Sequence, residues 1–148
     1  MDFREVLKLQ LEEYQGELKR LISGLTDEER RKMPSEMSHH IDFALWHATR
    51  AEDVLLNFGA KETEQLWVQD GWHERFNIPA RDVGVGYSAE QVREMPSTPI
   101  ELLLGYHEAC REQTLDYISH VDPLELDKRC PFEALHRQLP DITNGGVL

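Results

Sequence analysis

Three separate stretches of this chain carry apolar residues at helical spacing, and that pattern limits its folds more than any other feature. Leu7, Leu11, Tyr14, Leu18, Leu21 and Leu25 alternate in steps of four and three, which sets them on one stripe of a helix over about residues 2–24, with Asp2 able to cap its start. A second helix is predicted after Ser38 as N-cap, through Ile41-Asp-Phe-Ala-Leu-Trp-His-Ala-Thr-Arg-Ala-Glu-Asp-Val-Leu-Leu56, to about Asn57 or Phe58, where Gly59 provides a stop. Thr98-Pro-Ile-Glu101 joins an N-cap, a proline at the first helical position and an acid at the third, so a third long helix is predicted from there. Ile100, Leu103, Leu104, His107, Cys110, Leu115, Ile118 and Val121 keep its apolar stripe to about residue 121. No strand-length segment alternates with period two, and no repeat is present. Three such stripes ask for an all-α bundle forming a single domain over residues 1–148.

Shorter elements link these helices. Thr26-Asp-Glu-Glu29 and Ser88-Ala-Glu-Gln91 are capping boxes, the first opening a short helix before Pro34, and Asp122-Pro-Leu-Glu125 restarts a short helix. The connection over about residues 60–96 holds Gly71, Pro79, Gly84 and Gly86 with the apolar anchors Trp67, Trp72 and Phe76. A crossover of that length without long periodicity is more often functional than idle. After Pro131 and Pro140 the chain turns, and Thr143 could cap a fourth helix that has barely begun at Leu148; the fourth helix is therefore expected to be truncated.

Charge excludes two partner classes. Lys and Arg number 16 against 28 Asp and Glu, a formal charge of -12, with no window that concentrates basic residues. Nucleic acid and anionic membrane are held mainly through Lys and Arg on phosphate, so neither is expected as a partner. No run approaches the roughly 18 apolar residues that span a bilayer, and the N-terminus has no apolar signal core, so the chain reads as cytoplasmic. Cys110 and Cys130 show neither CxxC spacing nor disulfide-framework density, and Cys110 reads as a buried small hydrophobe.

His47 is the most informative single residue. It lies on the predicted core side of the second helix, and a buried polar group without a partner costs about 1–3 kcal/mol. Its partner is either a protein group or a metal ion, and both readings stand. His107 holds the equivalent place on the third helix, where a core histidine bonded to protein groups is the simpler reading. His40 and His47 are two turns apart, about 10.5 Å, too far to share one ion, and no His-x3-His pair occurs. His39 and His40 read as exposed first-turn residues. In the crossover, Asp70-Gly-Trp-His-Glu-Arg-Phe76 gathers aromatic, imidazole, carboxylate and guanidinium groups that could line a pocket mouth for an anionic or aromatic ligand, or simply pin the crossover through Trp72 and Phe76. Arg50 with Asp53 or Asp42 reads as a structural pair. No nucleophile elbow, Walker loop or dinucleotide fingerprint is present, so no catalytic residue is assigned.

Phe43-Ala-Leu-Trp-His-Ala-Thr-Arg-Ala-Glu-Asp-Val-Leu-Leu-Asn57, with Gly71-Trp-His-Glu-Arg-Phe-Asn77 and Leu104-Gly-Tyr-His-Glu-Ala-Cys-Arg111, resembles the DinB-like superfamily over nearly the whole chain, Trp-His-x4-Glu-Asp being the most specific element. The resemblance implies a four-helix bundle of up-down-down-up type with a long crossover between helices 2 and 3, often a homodimer. It also implies a divalent metal, zinc or nickel, held by one histidine of the second helix and two ligands of the fourth. By that likeness His47 is the second-helix ligand. The two fourth-helix ligands have no match. Trp46, His73, Arg75 and His107 are the groups expected to line the pocket or orient the ligand. The implied reaction is transfer of a low-molecular-weight thiol to a small electrophile, a thiolate being what a borderline metal ion with an open position presents. A non-catalytic module that binds a small molecule or dimerises, with an incomplete metal site, is the alternative.

Overall fold

The computed structural model describes residues 2–128, and among these every regular element is helical. The expected fourth helix, with Cys130, His136 and Thr143, lies outside the described residues. Helix α1 spans Phe3–Ser23 and begins as a full capping box: Asp2 accepts from the Arg4 and Glu5 amides, and the Glu5 carboxylate accepts from the Asp2 amide. Helix α2, Asp27–Arg30, starts at the Thr26–Glu29 box the spacing predicts. It ends at Arg30, before Pro34, and the Arg30 side chain pairs in the interior with Asp42, Nε to Oδ1 at 2.9 Å.

The second long helix, α3, spans Ile41–Asp53, and its N-cap is His40 rather than Ser38. His40 Nδ1 accepts from the Phe43 amide at 3.0 Å, while its Nε2–H donates to the Val92 carbonyl at 3.0 Å. The ring is therefore buried, not exposed as expected, and the bond to Val92 is the reason. Ser38 instead closes a local turn onto Ser35. Beyond Asp53 the helix widens into a π-helical segment, Val54–Ala60, that runs through Gly59. Gly59 is not the stop: it lacks the positive φ of a left-handed cap, and the reversal is made by Lys61 and Thr63, whose amides bond to the Leu56 and Asn57 carbonyls.

The crossover contains three short helices, α4 at Leu66–Gln69, α5 at Trp72–Phe76 and α6 at Ala89–Glu94, the last opened by the Ser88–Gln91 box. Helix α7 spans Ile100–His120 and packs against both α1 and α3. Thr98 does not cap it, because its hydroxyl bonds to the Pro96 carbonyl, and the helix starts two residues later behind Pro99. A 3-10 turn over Pro123–Asp127 follows, capped by Asp122.

The core lies chiefly between α3, α7 and the crossover. Phe43, Leu45, Trp46, Leu66, Trp67, Trp72, Phe76, Val92, Leu103, Tyr106 and Cys110 form one buried cluster, and Cys110 is the buried thiol that its helical position predicts. Helix α1 contributes only Ile22 to its buried members. Leu11, Leu18 and Leu25 of the predicted stripe are half-buried, whereas Tyr14 and Leu21 remain 56% and 57% exposed.

One carboxylate joins helix to crossover. Helix α4 has no side-chain cap of its own at Gln65. Asp53 supplies it from α3: Oδ1 accepts from the Leu66 amide and Oδ2 from the Trp67 amide, both at 2.9 Å. The same oxygens accept from Asn57 Nδ2 at 2.8 Å and the Tyr106 hydroxyl at 2.7 Å. Arg50 lies 3.5 Å away, and both charged side chains are 0% exposed. Its remaining bonds run to Gln65 Oε1, the Tyr106 oxygen and the Asp82 carbonyl, with the guanidinium over the Trp67 ring. Asp53→Asn leaves Arg50 buried without a counter-charge and turns two donors against an amide. Its unfolding free energy in urea should fall by about 3–5 kcal/mol, and an unchanged midpoint would contradict this role.

Candidate functional site

His47 stands on the flank of α3 that meets the crossover loop of residues 79–87. Its ring is half-buried and lies parallel to Phe43, with centroids 5.5 Å apart and planes 7° apart. Phe43 stacks in turn on Tyr87 at 5.8 Å and receives the edge of His39 at 4.6 Å. His47 Nδ1 lies 2.5 Å from the Val83 carbonyl. A carbonyl only accepts, so Nδ1 carries the proton. In the neutral ring Nε2 then bears the lone pair, and among the described residues nothing bonds to it. This is the tautomer of a metal-ligating histidine whose other nitrogen is held by backbone.

His107 resembles it in bonding but not in surroundings. Thr49 spends its hydroxyl proton on the Leu45 carbonyl, so its oxygen accepts from His107 Nδ1–H at 3.1 Å. The Nε2 that remains is buried and has no hydrogen-bond partner. Burial first, and then the Arg111 charge one turn along α7, hold this imidazole well below its usual 6.5, at about 4. Arg111 pairs with Glu52 at 2.9 Å, and Thr114 donates to the other Glu52 oxygen. His107 is thus a neutral histidine in the core, 3% exposed.

The other expected pocket groups have separate partners. Trp46 is fully buried and sits edge-on to Trp67 at 6.0 Å, its Nε1 without an acceptor. His73 donates from Nδ1 to the Trp67 carbonyl at 3.1 Å. Arg75 bonds to the Asp70 carbonyl and lies 3.5 Å above the Trp72 ring, its exposed charge facing outward from α5. Trp72 and Phe76 are buried against Tyr106, so the aromatic anchors do pin the crossover. No described contact joins His73, Arg75 or His107 to His47, and no group of three His, Cys, Asp or Glu side chains among the described residues could enclose a metal ion.

Several residues that shape the site carried no signal in the spacing. Val83 and Gly84 reach His47 from 36 and 37 positions along the chain, and Tyr87 supports Phe43 from a loop. Tyr106 and Gln65 complete the Arg50–Asp53 network from α7 and from the start of α4. Burial, with Asp82 beside it, raises the Tyr87 hydroxyl far above its usual range, so Tyr87 stays a proton donor to that carboxylate.

The comparisons agree with this architecture. The model of the DinB superfamily matches residues 10–147, and the chain belongs to that family. A crystal structure of a conserved protein from Enterococcus faecalis superimposes with a TM-score of 0.78 at 17% identity, over 98% of this chain and 91% of that one. At that identity the likeness is one of fold. No curated protein matches the chain. No helix among the described residues is long and apolar enough to cross a membrane.

The depressed His107 pKa sets a direction for acid stability. The folded ring resists a proton that the unfolded ring takes up below about 6.5, so this stabilisation is complete above that pH and is lost as pH falls towards 4. Thermal unfolding of the wild type and His107→Leu from pH 7 to 4 should show a shallower decline for the variant; parallel curves would contradict the buried neutral imidazole.

Proposed function

We propose that this chain is a metal-dependent DinB protein in which His47 donates its Nε2 lone pair to a divalent ion of the zinc or nickel type. The observation that carries this reading is the Val83 carbonyl on His47 Nδ1, which fixes the tautomer a ligand needs. The donor therefore fits such an ion, although no group of three His, Cys, Asp or Glu side chains among the described residues surrounds it. A bound ion of this kind with an open coordination position lowers the pKa of a thiol and makes thiolate available at neutral pH.

The proposed reaction is transfer of a low-molecular-weight thiol to a small electrophile. In it, Val83 holds the His47 ring, and Phe43 and Trp46 form an apolar wall beside it that keeps water from one side. Arg75 carries an exposed charge on α5 that would attract an anionic small ligand to the crossover face rather than to His47 itself. His107 contributes to the rigidity of the α3–α7 packing through Thr49.

A second reading has its own support. The exposed side chains Tyr14 and Leu21 of α1, together with the lack among the described residues of any three-group cluster that could enclose a metal ion, favour a non-catalytic module that binds a small molecule or forms a homodimer.

Elemental analysis of the purified full chain and of His47→Ala separates the two. The metal reading expects bound zinc or nickel in the wild type and a loss of more than about tenfold in the variant. Equal metal in both, or none in either after reconstitution, would overturn it and leave the binding module.

A further inference from the structure

The loop of residues 79–87 is fastened on both sides of Gly84: before it by the bonds that follow, and after it by Tyr87, whose amide donates to the Gly84 carbonyl and whose hydroxyl donates to the Asp82 carboxylate. Arg50 Nε donates to the Asp82 carbonyl at 3.1 Å, His47 Nδ1 donates to the Val83 carbonyl, and the Gly84 amide donates back to Asp82 Oδ1 at 2.9 Å. Between these bonds Gly84 adopts φ +76°, a left-handed conformation that side chains rarely take. A Cβ built there would stand 2.6 Å from Trp46 Cζ3, 3.0 Å from Phe43 Cε2 and 3.3 Å from His47 Nδ1. Both neighbouring rings belong to the packed aromatic cluster, Trp46 being fully buried against Trp67. The residue that carries the loop over α3 therefore has room only for a hydrogen, and it follows directly the carbonyl that holds His47.

We propose that Gly84 is a positioning residue for His47: by seating against Phe43 and Trp46 it brings the Val83 carbonyl onto Nδ1, keeping the ring in the Nδ1–H tautomer with Nε2 presented for coordination. The proposal rests on the reading of His47 as a metal ligand. The tautomer itself, however, is a property of the metal-free chain and is measured without any ion. Gly86 supplies the control. It shares the left-handed conformation, at φ +75°, but a Cβ there meets nothing within 4 Å, so Gly86→Ala reproduces the backbone strain without the contact.

Long-range proton–nitrogen correlation spectra of the metal-free full chain at alkaline pH report which ring nitrogen of His47 carries the proton. The Nδ1–H pattern is expected in the wild type and in Gly86→Ala, and its loss or mixing in Gly84→Ala. Cobalt(II) affinity, measured by competition with a chelator, should fall about 10- to 100-fold in Gly84→Ala and stay near wild type in Gly86→Ala. A proton on Nε2 in the wild type overturns the proposal, and so does an unchanged tautomer in folded Gly84→Ala. If Gly84→Ala does not fold, the wild-type and Gly86→Ala spectra decide alone: Nδ1–H with slow solvent exchange in both supports the proposal, and any other pattern overturns it. A wild type that shows the Nδ1–H pattern yet binds no cobalt(II) supports the positioning by Gly84 and overturns the ligand reading instead.

Discussion

The Asp53 carboxylate is the interaction on which the rest of the structure depends. Taking a charge out of water is costly unless it is paired and hydrogen-bonded, and here four donors and one guanidinium satisfy it. Two of those donors are the first amides of α4, so a helix of four residues, too short to be stable alone, is nucleated by a side chain from α3. That places Trp67 in the core, and Trp67 gathers Trp46, Phe76 and Tyr106 around it. Arg50 extends the same network to the Asp82 carbonyl, one residue before the carbonyl that holds His47. The candidate site thus inherits its geometry from a buried ion pair on its own helix.

The legible parts of the fold were those whose partners are close in sequence. Asp2, Thr26 and Ser88 cap the helices they precede because a capping box needs only residues three apart. Ser38, Thr98 and Gly59 carried equally good local signals and failed, since Val92, Pro96 and Thr63 offered competing bonds that spacing does not reveal. The apolar stripe of α1 was read correctly as helical, but periodicity says which side is apolar and not how deeply it is covered. At the site, His47 stood out as a polar ring on a core-facing helix. The loop that orients it did not, because its contribution is a backbone carbonyl and a glycine with no side-chain chemistry to notice.

His47 and His107 have the same ring nitrogen bonded, as it also is in His73, and their surroundings divide their roles. Each has Nδ1 held by an oxygen, Val83 for His47 and Thr49 for His107. At His107 the free nitrogen is sealed, at a cost of about 1–3 kcal/mol for an unmet polar group, and the ring serves packing between α3 and α7. His47 is only half-buried, so its free nitrogen is reachable. Membership of the DinB superfamily places the chain among proteins that often bind metal, and the proposed ligand role of His47 assigns that property to this accessible nitrogen.

Proton spectra of the chain loaded with paramagnetic cobalt(II) test that assignment most directly. Coordination through Nε2 with Nδ1–H kept on the Val83 carbonyl predicts an exchangeable proton of His47 shifted far outside the diamagnetic range and slow to exchange with water. Cobalt-shifted signals that arise from other residues alone, with His47 unmoved, would contradict the account.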